Sequence, residues 1–297
     1  MARPRNELRD RAADLAARGV LRSLAALPYD RRIPAAGALL ARLIGPAAGW
    51  TARARENLAA AFPDMPVAER ARLARQVCDN AGRSIAEMYA GKAFLDRLSD
   101  LTLTGEGVPA LMDARDSGRP IVGVTAHFGN YNAARAAMVS HGLDLGALYK
   151  PMRNPLFNAH YEEAMAALGG QIFPRDRRGM GVMLRHLRKG GMVAILFDLH
   201  VGDGAPIKFF GRPARTTLAP AELANRHDAL LLPVYAIRNP DGLTFTVRVG
   251  PEAPPGRPKA RMRWLTRDLE AVVRRHPEQW FWIHRRWKAP SAAARRR

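Results

Sequence analysis

From residue 120 onward the chain alternates short strand-like runs with helical segments, and that alternation restricts the fold more than any other feature. The runs "PIVGVTA" (120–126), "LGALYK" (145–150), "MVAILFD" (192–198) and "ALLLPVYAI" (229–237) are dominated by aliphatic residues. Between them lie "NAARAAMVSHG", "NPLFNAHYEEAMAALGG", "MGVMLRHLRKGG" and "APAELANRH", which have helical character. Strand and helix in turn predict an α/β sheet with parallel pairs. A further run, "LTFTVRVG" (243–250), follows "PDG" at 240–242, a turn that joins it to the preceding run as a hairpin. The expected sheet is mixed, largely parallel and flanked by helices.

Residues 1–100 read as helical. "VAERARLARQVCDNAGRSIAEMYAG" places Leu73, Val77, Ile85 and Met88 at helical spacings, with Asn80 and Gly82 as weak points. The longest apolar stretch, "IPAAGALLARLIGPAAGW" (33–50), is broken by Arg42 and Pro46. It falls short of the about 20 apolar residues a spanning helix needs. Flanked by Arg31, Arg32, Arg53 and Arg55, it suits either an interfacial helix on anionic lipid or a buried helical hairpin. The expected organisation is a helical membrane-docking region (1–100), an α/β core (101–290) and a basic disordered tail (291–297).

At 297 residues and 47% hydrophobic, the chain can bury a substantial core. Its formal net charge of +20 attracts polyanions: nucleic acid, anionic lipid, or acidic and phosphorylated partners. Aromatic residues make up 7% and do not interleave with the basic segments, which argues against nucleic acid. Cys78 is alone, so there is no disulfide framework and no cysteine-based metal site.

The chemistry concentrates at the ends of the strand-like runs. In open α/β sheets ligands bind beyond the carboxyl ends of the strands, and His127 in "HFGNYN" follows "PIVGVTA" directly. Within one continuous helix, positions 127 and 132 would differ by roughly 140° and could not touch. They meet only if Gly129 bends the chain before a helix begins near Asn130. A histidine paired with an acid is a general base for a hydroxyl nucleophile; an isolated histidine here would be an ordinary turn residue. Lys150 and Arg153 in "YKPMRNP", and Arg175, Arg177 and Arg178 in "PRDRRGMG", offer anion contacts after the next strands. "FDLHVGDGAPIKFFGRPARTTLAPAELA" adds Asp198, Phe209, Phe210, Thr216 and Thr217. Together these predict a pocket for a phosphorylated, partly apolar substrate.

The ordered stretches "RARENLAAAFPD", "GRSIAEMY", "AHFGNYN", "YKPMRNP", "IKFFGRPARTT" and "PEQWFWIHRRWK" span roughly residues 30–288. In them the chain resembles the bacterial late acyltransferases of lipid A biosynthesis, within the lysophospholipid acyltransferase superfamily. The resemblance implies direct acyl transfer without metal or cofactor. His127 would take a proton from an acceptor hydroxyl, which attacks the thioester of an acyl carrier protein or coenzyme A. It also implies substrate contacts from Gly129, Asn130, Lys150, Arg153, Asn154, Arg175, Asp198, Phe209, Phe210, Gly211, Thr216 and Thr217, with Lys150, Arg153 and Arg175 on phosphate. Arg285 and Arg286 match a family signature. The implied partners are the donor, a phosphorylated lipid acceptor and an anionic membrane, at the cytoplasmic face of a bacterial inner membrane.

One position departs from the family pattern of histidine followed five residues later by an acid: here it is Asn132. A neutral amide cannot balance an imidazolium charge. Three readings follow: an inactivated form, a natural non-catalytic lipid-binding member, or another acid, Asp198 first, in the role. On the first, an acid restored at 132 would raise turnover by up to about 10⁴. An acyltransferase of the same fold acting on a lysophospholipid or aminolipid is the alternative function.

Overall fold

The computed structural model describes residues 7–98 and 101–288; the tail expected to be disordered lies outside them. The chain opens with α1 (Glu7–Ala25) and α2 (Tyr29–Leu39), which continues through a π-helical stretch (Leu40–Ile44) into α3 (Gly45–Ala47). Next come α4 (Trp50–Ala61), α5 (Val67–Met88) and α6 (Lys92–Leu95). Helices α2 and α5 pack closely because small residues face each other. A Cβ on Gly82 would lie 2.5 Å from the Ala36 carbonyl oxygen, and one on Gly37 would lie 2.4 Å from Asp79 Oδ1. Gly82, which weakens the helix as a sequence, is thus a contact point. Ile33, Ala36, Leu40 and Ala41 are buried in this packing, whereas Leu43 is 65% exposed. The first part of the 33–50 segment thus packs on protein, while Arg42, Leu43, Ile44, Pro46, Ala47 and Ala48 are exposed.

The main sheet has the order β1-β9-β8-β2-β5-β3-β4. Its strands are β1 (Leu103–Thr104), β2 (Ile121–Thr125), β3 (Leu145–Tyr149), β4 (Gln171–Pro174) and β5 (Met192–Leu196), then β8 (Leu230–Arg238) and β9 (Phe245–Val249). A separate antiparallel hairpin, β6 (Ala205–Phe209) with β7 (Arg212–Thr216), lies between. Strands β8, β2, β5, β3 and β4 run parallel, and β9 returns antiparallel to β8. The expected mixed, largely parallel sheet is therefore present. Sequence reading omits β1, β4 and the hairpin. The first two are two- and four-residue edge strands. In the hairpin, prolines and cations occupy the outward positions and obscure the alternation.

Helices α7 (Val108–Ser117), α8 (Tyr131–Ser140) and α9 (Pro155–Ala167) bury apolar residues in one core cluster. Helices α10 (Arg177–Arg188), α11 (Ala219–His227) and α12 (Pro258–Arg275) contribute to a second, on the opposite side of the sheet. Strand β2 is buried along its whole length, with Val122 and Val124 in one cluster and Ile121 in the other. This central strand carries His127 at its carboxyl end. The segment after α12 supplies Trp280, Trp282 and Trp287, which pack with Phe209 and Phe210 in an aromatic cluster beneath that end.

Candidate active site

Sheet register brings the two central groups together. Thr125 on β2 pairs with Leu196 on the adjacent parallel β5, and His127 and Asp198 each lie two residues farther on. Equal offsets beyond paired residues place the two side chains at the same height. His127 Nδ1 lies 2.8 Å from Asp198 Oδ1, and the His127 backbone amide donates to Asp198 Oδ2 at 2.9 Å. Trp280 Nε1 donates to the same Oδ2 at 2.9 Å.

Asp198 is 1% exposed. Burial alone would push its carboxyl up. The charge of His127, the two hydrogen bonds from that residue and the charge of Arg286 outweigh burial and hold it below its usual range. An ionised carboxylate only accepts, so Nδ1 carries a proton, and in the neutral imidazole the lone pair is on Nε2. His127 forms part of the wall of a cleft, so a basic nitrogen has access to a ligand there.

The turn after His127 is held from several directions. Gly129 has φ +53, and a Cβ there would fall 1.8 Å from the Ala236 carbonyl oxygen, so only glycine fits. Its amide donates to the Gln279 carbonyl at 2.9 Å, and its own carbonyl accepts from Asn80 Nδ2 and Ser84 Oγ. Asn130 caps α8 by accepting from the Asn132 amide. Its Nδ2 donates at 2.7 Å to Glu87, which is fully buried and forms a bidentate pair with Arg238 at 2.5 and 2.7 Å. Arg238 also donates to Asn80 and Ser84 and stacks over Phe245.

The cleft encloses about 320 Å³. One wall is α5 and its end, through Val77, Ala81, Ile85 and Met88 and the following Tyr89; the other includes Met152, Phe157 and Tyr161. His127 lines the cleft with the rings of Tyr131 and Phe281 beside its own, and Asn132 is also part of the lining. Apolar walls leading to an oriented imidazole suit a hydrocarbon chain attached to a polar reacting group.

Comparison with known proteins identifies acyltransferases. The profile of the family described as "Bacterial lipid A biosynthesis acyltransferase" matches residues 6–289. The chain belongs to that family. It is 27% identical over 240 residues to the lipid A biosynthesis lauroyltransferase of Escherichia coli (strain K12), covering 78% of this chain and 77% of the relative. A lipid A biosynthesis acyltransferase of Haemophilus influenzae is 25% identical over 292 residues, covering 91% and 88%. A phosphatidylinositol mannoside acyltransferase of Mycobacterium tuberculosis is 23% identical over 194 residues, covering 64% and 61%. The protein is thus an acyltransferase of lipid A or related lipids.

In this acyltransferase the residues singled out by sequence separate into three sets. His127, Gly129 and Asn132 line the cleft, while Asn130 is wholly buried behind it. Lys150, Arg153 and Arg175 are exposed at the carboxyl ends of β3 and β4, outside the cleft lining but beside Met152, which is part of it. Asn154 caps α9 and donates to the Asp10 carbonyl.

The third set lies away from the cleft lining. Phe209 and Phe210 are 1% and 5% exposed within the aromatic cluster. Phe210 and Gly211 form the β6–β7 turn with φ of 51 and 71. Thr216 is buried and accepts from Arg286, and Thr217 accepts from the Ala219 amide at the start of α11. Arg286 is 1% exposed and also donates to the Leu199 and Arg215 carbonyls. Asp198, named from the sequence both as a substrate contact and as the first replacement acid, is the buried partner of His127, and among the described residues no hydrogen bond joins Asn132 to the imidazole.

Sequence reading missed Glu87, Arg238, Trp280, Tyr131 and Tyr161. Glu87 had a signal. It continues the spacing of Leu73, Val77, Asn80 and Ser84 along the inward stripe of α5, and a carboxylate there requires a buried partner.

Proposed function

We propose that the protein transfers a fatty acyl group from an acyl thioester to a hydroxyl of a lipid A precursor, with His127 as general base. The observation that carries this reading is the Asp198-oriented imidazole at the end of an apolar cleft. His127 Nε2 takes the hydroxyl proton, and the oxygen attacks the thioester carbonyl. The carbon–sulfur bond breaks, and the imidazolium returns the proton to the leaving thiolate. Asp198 stabilises the imidazolium in between. The test is incubation with acyl thioesters and candidate acceptors, read by lipid mass spectrometry. An acylated lipid A precursor is expected, and its loss in His127→Ala. Acylation of phosphatidylinositol mannosides or lysophospholipids alone would redirect the acceptor. A product unchanged in His127→Ala would defeat the base assignment.

An acidic carrier protein is the favoured donor, because α10 carries an unpaired cationic face. Arg177, Arg178, Arg185, Arg188 and Lys189 are exposed and form no ion pair among the described residues. The apolar face of the helix, including Met183 and Leu187, is buried, so the exposed side suits a soluble polyanion. Arg178→Glu with Arg185→Glu is expected to raise KM for an acyl carrier protein about tenfold or more, and to leave KM for the coenzyme A thioester nearly unchanged. Equal effects on both donors would remove this docking face from the reading.

Contact with an anionic membrane is supported by exposed Leu8, Leu15 and Val20 on α1, together with Ile85, Met152 and Leu156 near the cleft. Among the described residues no helix is long and apolar enough to cross a membrane. Peripheral attachment at the cytoplasmic face would bring the cleft to its lipid acceptor.

A further inference from the structure

An acyl-transfer site must stabilise the negative charge that develops on the carbonyl oxygen, and in this cleft many of the donors are already committed. The amides of Phe128, Gly129, Asn130 and Asn132 donate to Ala126, Gln279 and Ala236 carbonyls and to Asn130 Oδ1, respectively. The glycine turn therefore offers none of these four to substrate. Among polar side chains in the wall, Asn80 and Ser84 are spent on Gly129, and Gln279 on the Arg238 carbonyl. Trp280 bonds Asp198, and the hydroxyls of Tyr131 and Tyr161 face each other, an interaction that commits one of their two protons.

The side-chain amide of Asn132 differs. The residue is 4% exposed and forms part of the cleft wall with His127. Its amide has no hydrogen bond among the described residues, yet is not one of the buried polar atoms sealed from contact. It opens into the cleft.

We propose that Asn132 is a catalytic residue whose Nδ2–H donates to the thioester carbonyl oxygen as that oxygen becomes negative. This rests on the reading of His127 as base. In the step, the acceptor oxygen bonds to the carbonyl carbon while its proton passes to His127 Nε2. The π electrons move onto the oxygen facing Asn132, and they return as the carbon–sulfur bond breaks and the thiolate takes the proton. With Asp198 as the acid in this chain, position 132 is free to hold a neutral donor. A carboxylate at 132 would instead set a negative charge against the developing oxyanion.

The inference is tested by steady-state kinetics with an acyl-coenzyme A or acyl-carrier-protein donor and a lipid A precursor. Asn132→Ala is expected to lower kcat by about 10² to 10³ with little change in donor KM, the loss typical of one oxyanion donor. Asn132→Asp, which keeps the shape and so guards against a folding artefact, is expected to lower kcat as well. Thermal unfolding of both variants checks that they fold. If His127→Ala abolishes transfer while Asn132→Ala keeps full kcat, or if Asn132→Asp raises kcat, the role of Asn132 is overturned and the base assignment stands. If His127→Ala is fully active, both fall.

Discussion

Replacing Asp198 with asparagine is expected to lower acyl-transfer turnover by as much as about 10⁴-fold, on the scale known for the same change in a serine protease triad. The physical reason is the three hydrogen bonds that converge on this carboxylate, from the His127 amide, His127 Nδ1 and Trp280 Nε1. Asparagine can turn its NH₂ toward the ring, which forces the proton onto Nε2 and removes the base. It also removes the negative charge that stabilises the imidazolium. Turnover measured at saturating donor and acceptor checks this, with His127→Ala as the reference for complete loss. Activity within tenfold of the parent would mean that another group orients the histidine.

The same substitution should change acid stability. Asp198 is held below the ordinary carboxylate range in the folded protein. Its contribution to stability is therefore complete above the unfolded value of about 3.9 and is lost as pH falls through its lower folded value. Urea unfolding followed from neutral to acid pH should show this component in the parent and not in Asp198→Asn.

Glu87→Gln should destabilise the fold by about 3–5 kcal/mol, the usual result of stripping one partner from a buried ion pair. Arg238 is 8% exposed and would keep a charge facing a neutral amide. Arg238→Met should cost a similar amount by leaving the Glu87 carboxylate alone. Each partner touches the turn that carries His127, Glu87 through Asn130 and Arg238 through Asn80 and Ser84. Turnover should therefore fall along with stability. The double variant Glu87→Gln with Arg238→Met should lose less than the sum of the singles, because the unpaired charge is gone. Chemical denaturation of the four proteins gives the coupling energy, and strict additivity would show that the pair acts as two independent residues.

Much of the fold was legible because its signals are local. Aliphatic runs bounded by turns predict β2, β3, β5, β8 and β9 within a residue or two, and "PDG" predicts the one reversal among them. The short edge strands were not legible, since two to four residues carry no period. Along α5, periodicity marks the apolar stripe. It cannot say that Ile85 is 41% exposed beside a cleft, or that Gly82 is where α2 makes its closest approach. Phe209 and Phe210 look like a ligand-binding pair beside a loop. They are instead buried by tryptophans more than sixty residues away in sequence, beyond the reach of any local pattern.

The sequence by itself determined the α/β alternation, the place of His127 at the end of a central strand, and the ordered motifs that mark the family. Each is a property of neighbours along the chain. Only the tertiary structure decided which carboxylate serves the histidine. The sequence finds Asn132 where an acid is expected and leaves three readings open, a replacement by Asp198 among them, with no means of choosing. The acid present lies 71 residues on, brought in because two parallel strands pair Thr125 with Leu196 and end at the same height. Hydrogen bonding between strands sets that register, and it is indifferent to the distance along the chain between the residues it joins.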